Sequence, residues 1–90
     1  MSDTTYNGWK NRATGNVSLW LNNEYPYYTG AVEFMKDYKG TSPYKDFCVD
    51  SGLSAQKTPD GYYWTGQYLD YQELDAMMWE LAPEGARHVQ

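Results

Sequence analysis

The sequence predicts a mainly α fold: three or four short helices and a short β element, closed around a single aromatic-rich core. Three observations predict it. The stretch LDYQELDAMMWEL repeats apolar residues at helical spacing. Proline and glycine stand at the expected starts and ends of two further segments. Aromatic rings make up a large share of the apolar residues, with ten Tyr and four Trp but no Ile, so the core must draw on aromatic side chains that carry polar tips. An α+β arrangement is the alternative. Ninety residues suit one domain, 1–90, with flexible ends at 1–5 and 86–90.

From Trp9 the chain reads WKNRATGNVSLWLNN. Ala13, Val17, Trp20 and Leu21 recur at i, i+4, i+7 and i+8, which predicts a first helix of about three turns ending at Asn22-Asn23. Gly15 interrupts it at a cost of about 1 kcal/mol. A strand through Val17, Leu19 and Leu21 is the competing reading. Next, Pro26 fits a first helical turn. Tyr28, Ala31, Val32 and Met35 make its stripe, Tyr27, Phe34 and Tyr38 widen it, and Gly40 is the expected stop. Gly30 in its middle marks either the close approach of another ring or a tolerated glycine.

Ser42 as N-cap, Pro43 at the first position and Gly52 past the end predict a third helix, with Tyr44, Phe47 and Cys48 inward. Leu53 is placed to close it against Cys48 in a Schellman motif. After a loop over 54–61, the segment YYWTGQY at 62–68 predicts a short strand bent at Gly66, paired with 54–58 or with the stretch around Tyr6 and Trp9. Packing as an extended aromatic strap is the other possibility. In the last helix Asp70 is the N-cap and Glu73 completes a capping box. Leu69 and Leu74 form a staple, Leu74, Met77, Met78 and Leu81 face inward, and Pro83 and Gly85 close it.

Charge narrows the function classes. The net charge is −5. Residues 58–86 contain Asp60, Asp70, Glu73, Asp75, Glu80 and Glu84 but no Lys or Arg. A one-sign surface repels phosphate backbones, which argues against direct nucleic-acid binding, including by stacking on Tyr62, Tyr63, Trp64 and Tyr68. The first ten residues carry no apolar run and nothing approaches the length of a spanning helix, which predicts no signal peptide, no membrane partner and a cytoplasmic location. A single Cys48 suits a reducing compartment and reads as a small core residue.

Catalytic chemistry finds little here. His88 is the one histidine and lies in the tail. Cys48 and His88 are too few for a metal site, and no phosphate-binding glycine loop or nucleophile elbow is present, so neither catalytic residue, metal nor other cofactor is expected. Two of Asp70, Glu73, Asp75 and Glu80 serving as acid and base are the weak enzymatic alternative. The outer face of the last helix is more informative. At 100° per residue, Trp79 points about 140° from the centre of the apolar face, on a stripe with Gln72, Asp75 and Ala76. Trp is enriched at binding hot spots. The expected partner face therefore comprises Gln72, Asp75, Trp79, Glu80 and Glu84 with Tyr63 and Trp64 nearby, unless the 62–68 strap covers Trp79.

The residues YNGWKNRATGNVSLWLNN resemble the opening of a family of short uncharacterised proteins encoded by tailed phages, notably cyanophages, and some bacterial genomes, with the pattern N-G-W-x-N-x-x-T-W-x-V-x-L-W-x-x-N. Asn7, Gly8, Trp9, Asn11, Thr14, Val17, Leu19, Trp20 and Asn23 match it. Gly15 departs from it, where the family usually carries Trp. The resemblance implies a phage origin and brings no activity, cofactor or catalytic residue. Together these readings predict a non-enzymatic, acidic accessory protein that binds a host or phage protein. Its sharper form is a DNA mimic occupying the basic site of a host nucleic-acid enzyme. The alternative is a self-associating structural protein, a homodimer through the outer face of the last helix.

Overall fold

The computed structural model describes residues 8–82. Its elements are α1 (Arg12–Asn23), α2 (Tyr25–Lys36), α3 (Pro43–Asp50) and α4 (Tyr71–Leu81), with one isolated antiparallel bridge between Lys57 and Tyr63. The mainly α expectation is met. α1 packs along α2, α3 along α4, and α4 also meets α1 and α2. Among the described residues, no helix is long and apolar enough to cross a membrane.

The helical reading of the first segment prevails over the strand reading. Val17 and Leu21 are fully buried one turn apart, whereas Leu19 is half exposed. A strand would have put all three on one face. Asn11, which apolar spacing alone does not single out, is the N-cap: its Oδ1 accepts the Thr14 N–H at 2.9 Å and the Thr14 hydroxyl at 2.7 Å.

α2 differs from expectation at both its face and its end. Ala31 and Met35 are buried, but Tyr28 is exposed and Tyr27 turns inward, its ring edge-on to Trp64 at 5.1 Å. The helix stops at Lys36, before Gly40. Gly40 has a different role. Tyr38 folds back over it, and a Cβ there would collide with the phenol hydroxyl. That hydroxyl accepts the Ser42 N–H at 2.9 Å and donates to Asp46, fixing the approach to α3. At Gly30 the neighbouring ring is Phe47, at a distance that would accommodate a methyl group in ordinary contact.

α3 ends as its sequence signals. The Leu53 N–H donates to the Cys48 carbonyl at 2.8 Å, the Gly52 N–H donates to Val49 at 3.3 Å, and Gly52 takes φ +75°. This is the 6→1 and 5→2 pair of a Schellman motif. Its start differs from expectation: the Ser42 side chain makes no cap bond. The Asp75 carboxylate of α4 instead accepts the Tyr44 N–H at 3.0 Å. One helix thus caps the next across the core.

Of the two partners considered for 62–68, the chain pairs with 54–58. The Thr58 N–H donates to the Tyr62 carbonyl at 2.7 Å and the Trp64 N–H to that of Gln56 at 3.0 Å. Pairing goes no further, so the segment acts as a strap. Strand-like alternation sends Trp64 inward, where it is 1% exposed, and leaves Tyr63 outside. The Trp64 carbonyl is buried too and accepts the Tyr44 hydroxyl at 2.6 Å. Val17, Leu21, Met35, Phe47, Leu74 and Met78 belong to the same buried core.

The capping box of α4 is only half as expected. Asp70 Oδ1 does accept the Glu73 N–H at 3.0 Å. The reciprocal half is supplied by α1 and the residue two before it: the Asp70 N–H donates to Thr14 Oγ1 at 2.9 Å, and Glu73 Oε1 accepts the Lys10 backbone N–H at 2.7 Å. Asn11 Nδ2 adds a bond to the Tyr68 carbonyl at 2.7 Å. The starts of α1 and α4 are thereby clasped together. Pro83 and Gly85 lie outside the described residues.

Candidate interaction surface

The acids of the last third are mostly engaged inside the fold. Asp70 caps its own helix, Glu73 holds Lys10, and Asp75 holds the start of α3. Asp60 Oδ2 accepts Asn16 Nδ2 and Trp20 Nε1, each at 2.8 Å. These two donors hold its carboxyl below the usual range. Asp75 moves the other way: burial raises its pKa, against the opposing hydrogen bond from Tyr44 and with the charge of Asp46 adding to the rise. Fold geometry accounts for all four positions without a partner.

The structure separates the residues of the expected partner face on α4. Trp64 lies in the core and cannot meet a partner. Asp75 is partly buried under α3. Trp79 is partly covered, its ring centroid 5.7 Å from that of Tyr38 at the end of α2. The cover comes from Tyr38, where the sequence had suggested the 62–68 strap. Gln72, Ala76 and Glu80 remain exposed, a narrow polar stripe with little apolar area. Glu84 and His88 lie outside the described residues.

The residues of the N-terminal motif have architectural positions. Asn11 and Thr14 form the clasp, Val17 is core, and Trp9 packs against the core. Trp20 also packs there while its indole N–H anchors the 58–62 turn through Asp60. The same turn is tied by Thr58 Oγ1 to Asn16 Oδ1 at 2.8 Å. Gly8 takes φ +89°, Leu19 and Asn23 are exposed, and Gly15 is buried. Asn7 lies outside the described residues.

The structure assembles a surface that the sequence reading did not delimit. The strap, the loop before it and the start of α1 enclose an open groove of about 740 Å³ lined by Ala13, Ser54, Ala55, Gly61, Tyr62, Tyr63, Thr65, Gly66, Gln67, Tyr68 and Leu69. No charged side chain is among them. Tyr63 is 52% and Tyr68 74% exposed, whereas Tyr62 is partly buried. Lys57 Nζ lies 4.9 Å from the Tyr63 ring centroid and occupies one of its faces. Of the groove residues, only Tyr63 was among the expected site residues. The available signal was the alternation around Trp64: once that ring is inside, Tyr63 must point out.

Cys48 is buried and burial pushes its thiol up to about 11. Among the described residues, no three His, Cys, Asp or Glu side chains are grouped to hold a metal ion. Residues 2–86 match the profile of a family of unknown function, DUF7249, and the chain belongs to that family. No curated protein and no solved structure matches it.

Proposed function

We propose that this member of a family of unknown function is a non-enzymatic, phage-type accessory protein that works by binding another protein. The observation that carries the reading is the open groove with two exposed tyrosines on a rigidly anchored strap. Exposed aromatic rings beside a concavity are a frequent composition of binding hot spots, because they bring large contact area at low conformational cost. The strap is held at Trp64 and Tyr68, and the turn before it at Thr58 and Asp60, by bonds from α3 and from α1 with its cap, so the backbone that carries the rings is fixed. Support for a phage origin is the N-terminal motif.

The DNA-mimic form has weaker support, since intramolecular bonds already account for Asp60, Asp70, Glu73 and Asp75. The homodimer form has only the narrow α4 stripe. Affinity capture from the lysate of phage-infected cells separates the forms. Parent protein is compared with Tyr63→Ala/Tyr68→Ala and with Glu80→Gln/Gln72→Ala, each checked for folding by circular dichroism. Capture lost only in the tyrosine variant supports the groove. Capture that survives that variant and collapses with added salt favours the acidic mimic. Sedimentation as a dimer abolished by the α4 variant favours self-association.

A further inference from the structure

We propose that the Asp60-Gly61 bond is a latent modification site: it converts to isoaspartate when the 58–62 turn opens, and Asn16 and Trp20 of α1 guard it in the folded protein. The pair has the composition the reaction needs. The Gly61 nitrogen attacks Cγ of the neutral Asp60 carboxyl. The N–Cγ bond forms, the Cγ–OH bond breaks, and the hydroxyl leaves as water with the Gly61 N–H proton. Water then opens the cyclic imide. Attack at Cγ restores aspartate, whereas attack at the former backbone carbonyl leaves residues 60 and 61 joined through the side chain. Glycine favours the first step because no Cβ crowds its nitrogen and its backbone turns freely.

The fold opposes this step with bonds and not with burial. Asp60 and Gly61 are both exposed, and a Cβ placed on Gly61 would meet nothing within 4 Å, so water reaches the pair. Asp60 Oδ2 accepts Asn16 Nδ2 and Trp20 Nε1, each at 2.8 Å, which holds the electrophile toward α1. The Gly61 N–H donates to the Thr58 carbonyl at 2.8 Å, which occupies the nucleophile. Two further bonds shut the turn around both: the Thr58 N–H donates to the Tyr62 carbonyl, and Thr58 Oγ1 donates to Asn16 Oδ1. The donors from α1 also keep the carboxyl ionised to lower pH than usual, and a carboxylate has no hydroxyl to release.

Conversion changes the structure around the turn. The new linkage adds a methylene to the backbone at residue 60 and moves the free carboxylate onto the α carbon. The bonds from Asn16 and Trp20 then cannot re-form in register. Gly61 and Tyr62, both in the wall of the groove, lose the tether to α1 that Asp60 supplies. A chain that stays open at this turn is thus marked covalently, while the folded chain is protected.

The test incubates the full chain at mildly acidic pH, in buffer and in urea. The tryptic peptide 58–87 is followed by chromatography with electron-transfer fragmentation, which places the β-linkage. Resolution by peptide is needed because Asn7-Gly8 yields the same product. Isoaspartate at residue 60 should form at least about tenfold faster in urea than in buffer. Trp20→Phe keeps a ring against the core and removes the indole donor. It should raise the rate in buffer about tenfold, the worth of one hydrogen bond to a charged group. Asn16→Ala should raise it at least as much, since it also frees Thr58. Ala31→Gly weakens α2 without touching the turn and should leave the rate near that of the parent, which separates loss of the guard from loss of stability. Circular dichroism checks that each variant is folded, and if Trp20→Phe is not, Asn16→Ala against Ala31→Gly decides. Equal rates in buffer and urea, a folded Trp20→Phe no faster than the parent, or Ala31→Gly as fast as the α1 variants overturns the proposal. So does the absence of isoaspartate at residue 60 in urea.

Discussion

Replacing Thr14 with valine tests the clasp that joins α1 to α4. Thr14 is fully buried, and its hydroxyl accepts the Asp70 N–H at 2.9 Å while donating to Asn11 Oδ1 at 2.7 Å. Valine keeps the volume and the β-branch, so packing and helix propensity hardly change. The hydroxyl bonds are lost, and the Asp70 N–H is left without a partner where water reaches it poorly, a loss of roughly 1–3 kcal/mol. Asn11 still caps the Thr14 N–H, so α1 keeps its own cap. For a domain of this size, about 2 kcal/mol corresponds to a fall in Tm of about 8–16 °C. Urea unfolding followed by circular dichroism should show a lower midpoint at unchanged slope. Thr14→Ser, which keeps the hydroxyl, should cost about 1 kcal/mol through the lost methyl. A loss below about 0.5 kcal/mol for valine, within the noise of a neutral surface change, would refute the clasp as a source of stability.

Three further outcomes follow from the same geometry. Gly30→Ala should stabilise by about 1 kcal/mol in thermal unfolding, because the added methyl meets Phe47 at ordinary contact distance and mid-helix glycine is unfavourable; destabilisation would contradict the packing described. The raised pKa of Asp75 means that the folded state binds its proton more tightly than the unfolded state does, so its contribution favours folding increasingly as pH falls toward the ordinary value of 3.8. Asp60, held low, acts in the opposite sense: its contribution is present above 3.8 and is lost as pH falls through its lower folded pKa. In urea titrations across that range, Asp75→Asn should preserve stability at neutral pH, its amide oxygen still accepting the Tyr44 N–H, and should remove the Asp75 part of the slope. Cys48 should react with a thiol reagent at mildly alkaline pH far more slowly in the native protein than in denaturant, since its thiol is buried and raised to about 11; equal rates would contradict its place in the core.

The parts legible in the sequence were those fixed by local chemistry. Pro43 and Gly52 bracket α3 because a fixed φ suits a helix start and a left-handed residue suits its end, conditions contained within a few residues. Leu74 and Met78 lie on one face because helical spacing alone puts them there. What escaped the sequence is what depends on residues distant along the chain. Glu73 has the spacing to reach back to the Asp70 N–H, but Thr14, 56 residues away, takes that donor, and Lys10 takes the Glu73 carboxylate. Trp79 points outward by helical geometry, yet Tyr38 folds over it from the end of α2. The groove was hidden for the same reason: its walls come from Ala13, the 54–55 loop and the strap, and nothing local announces that these meet.

The most direct test of the protein-binding account is amide chemical-shift mapping of the intact chain with its captured partner. The account predicts that shifts concentrate at Ser54, Ala55 and the residues from Gly61 to Leu69, leaving Gln72, Ala76 and Glu80 unmoved. Shifts centred on Gln72, Ala76 and Glu80 with a quiet strap would contradict it and place the binding face on the outside of α4.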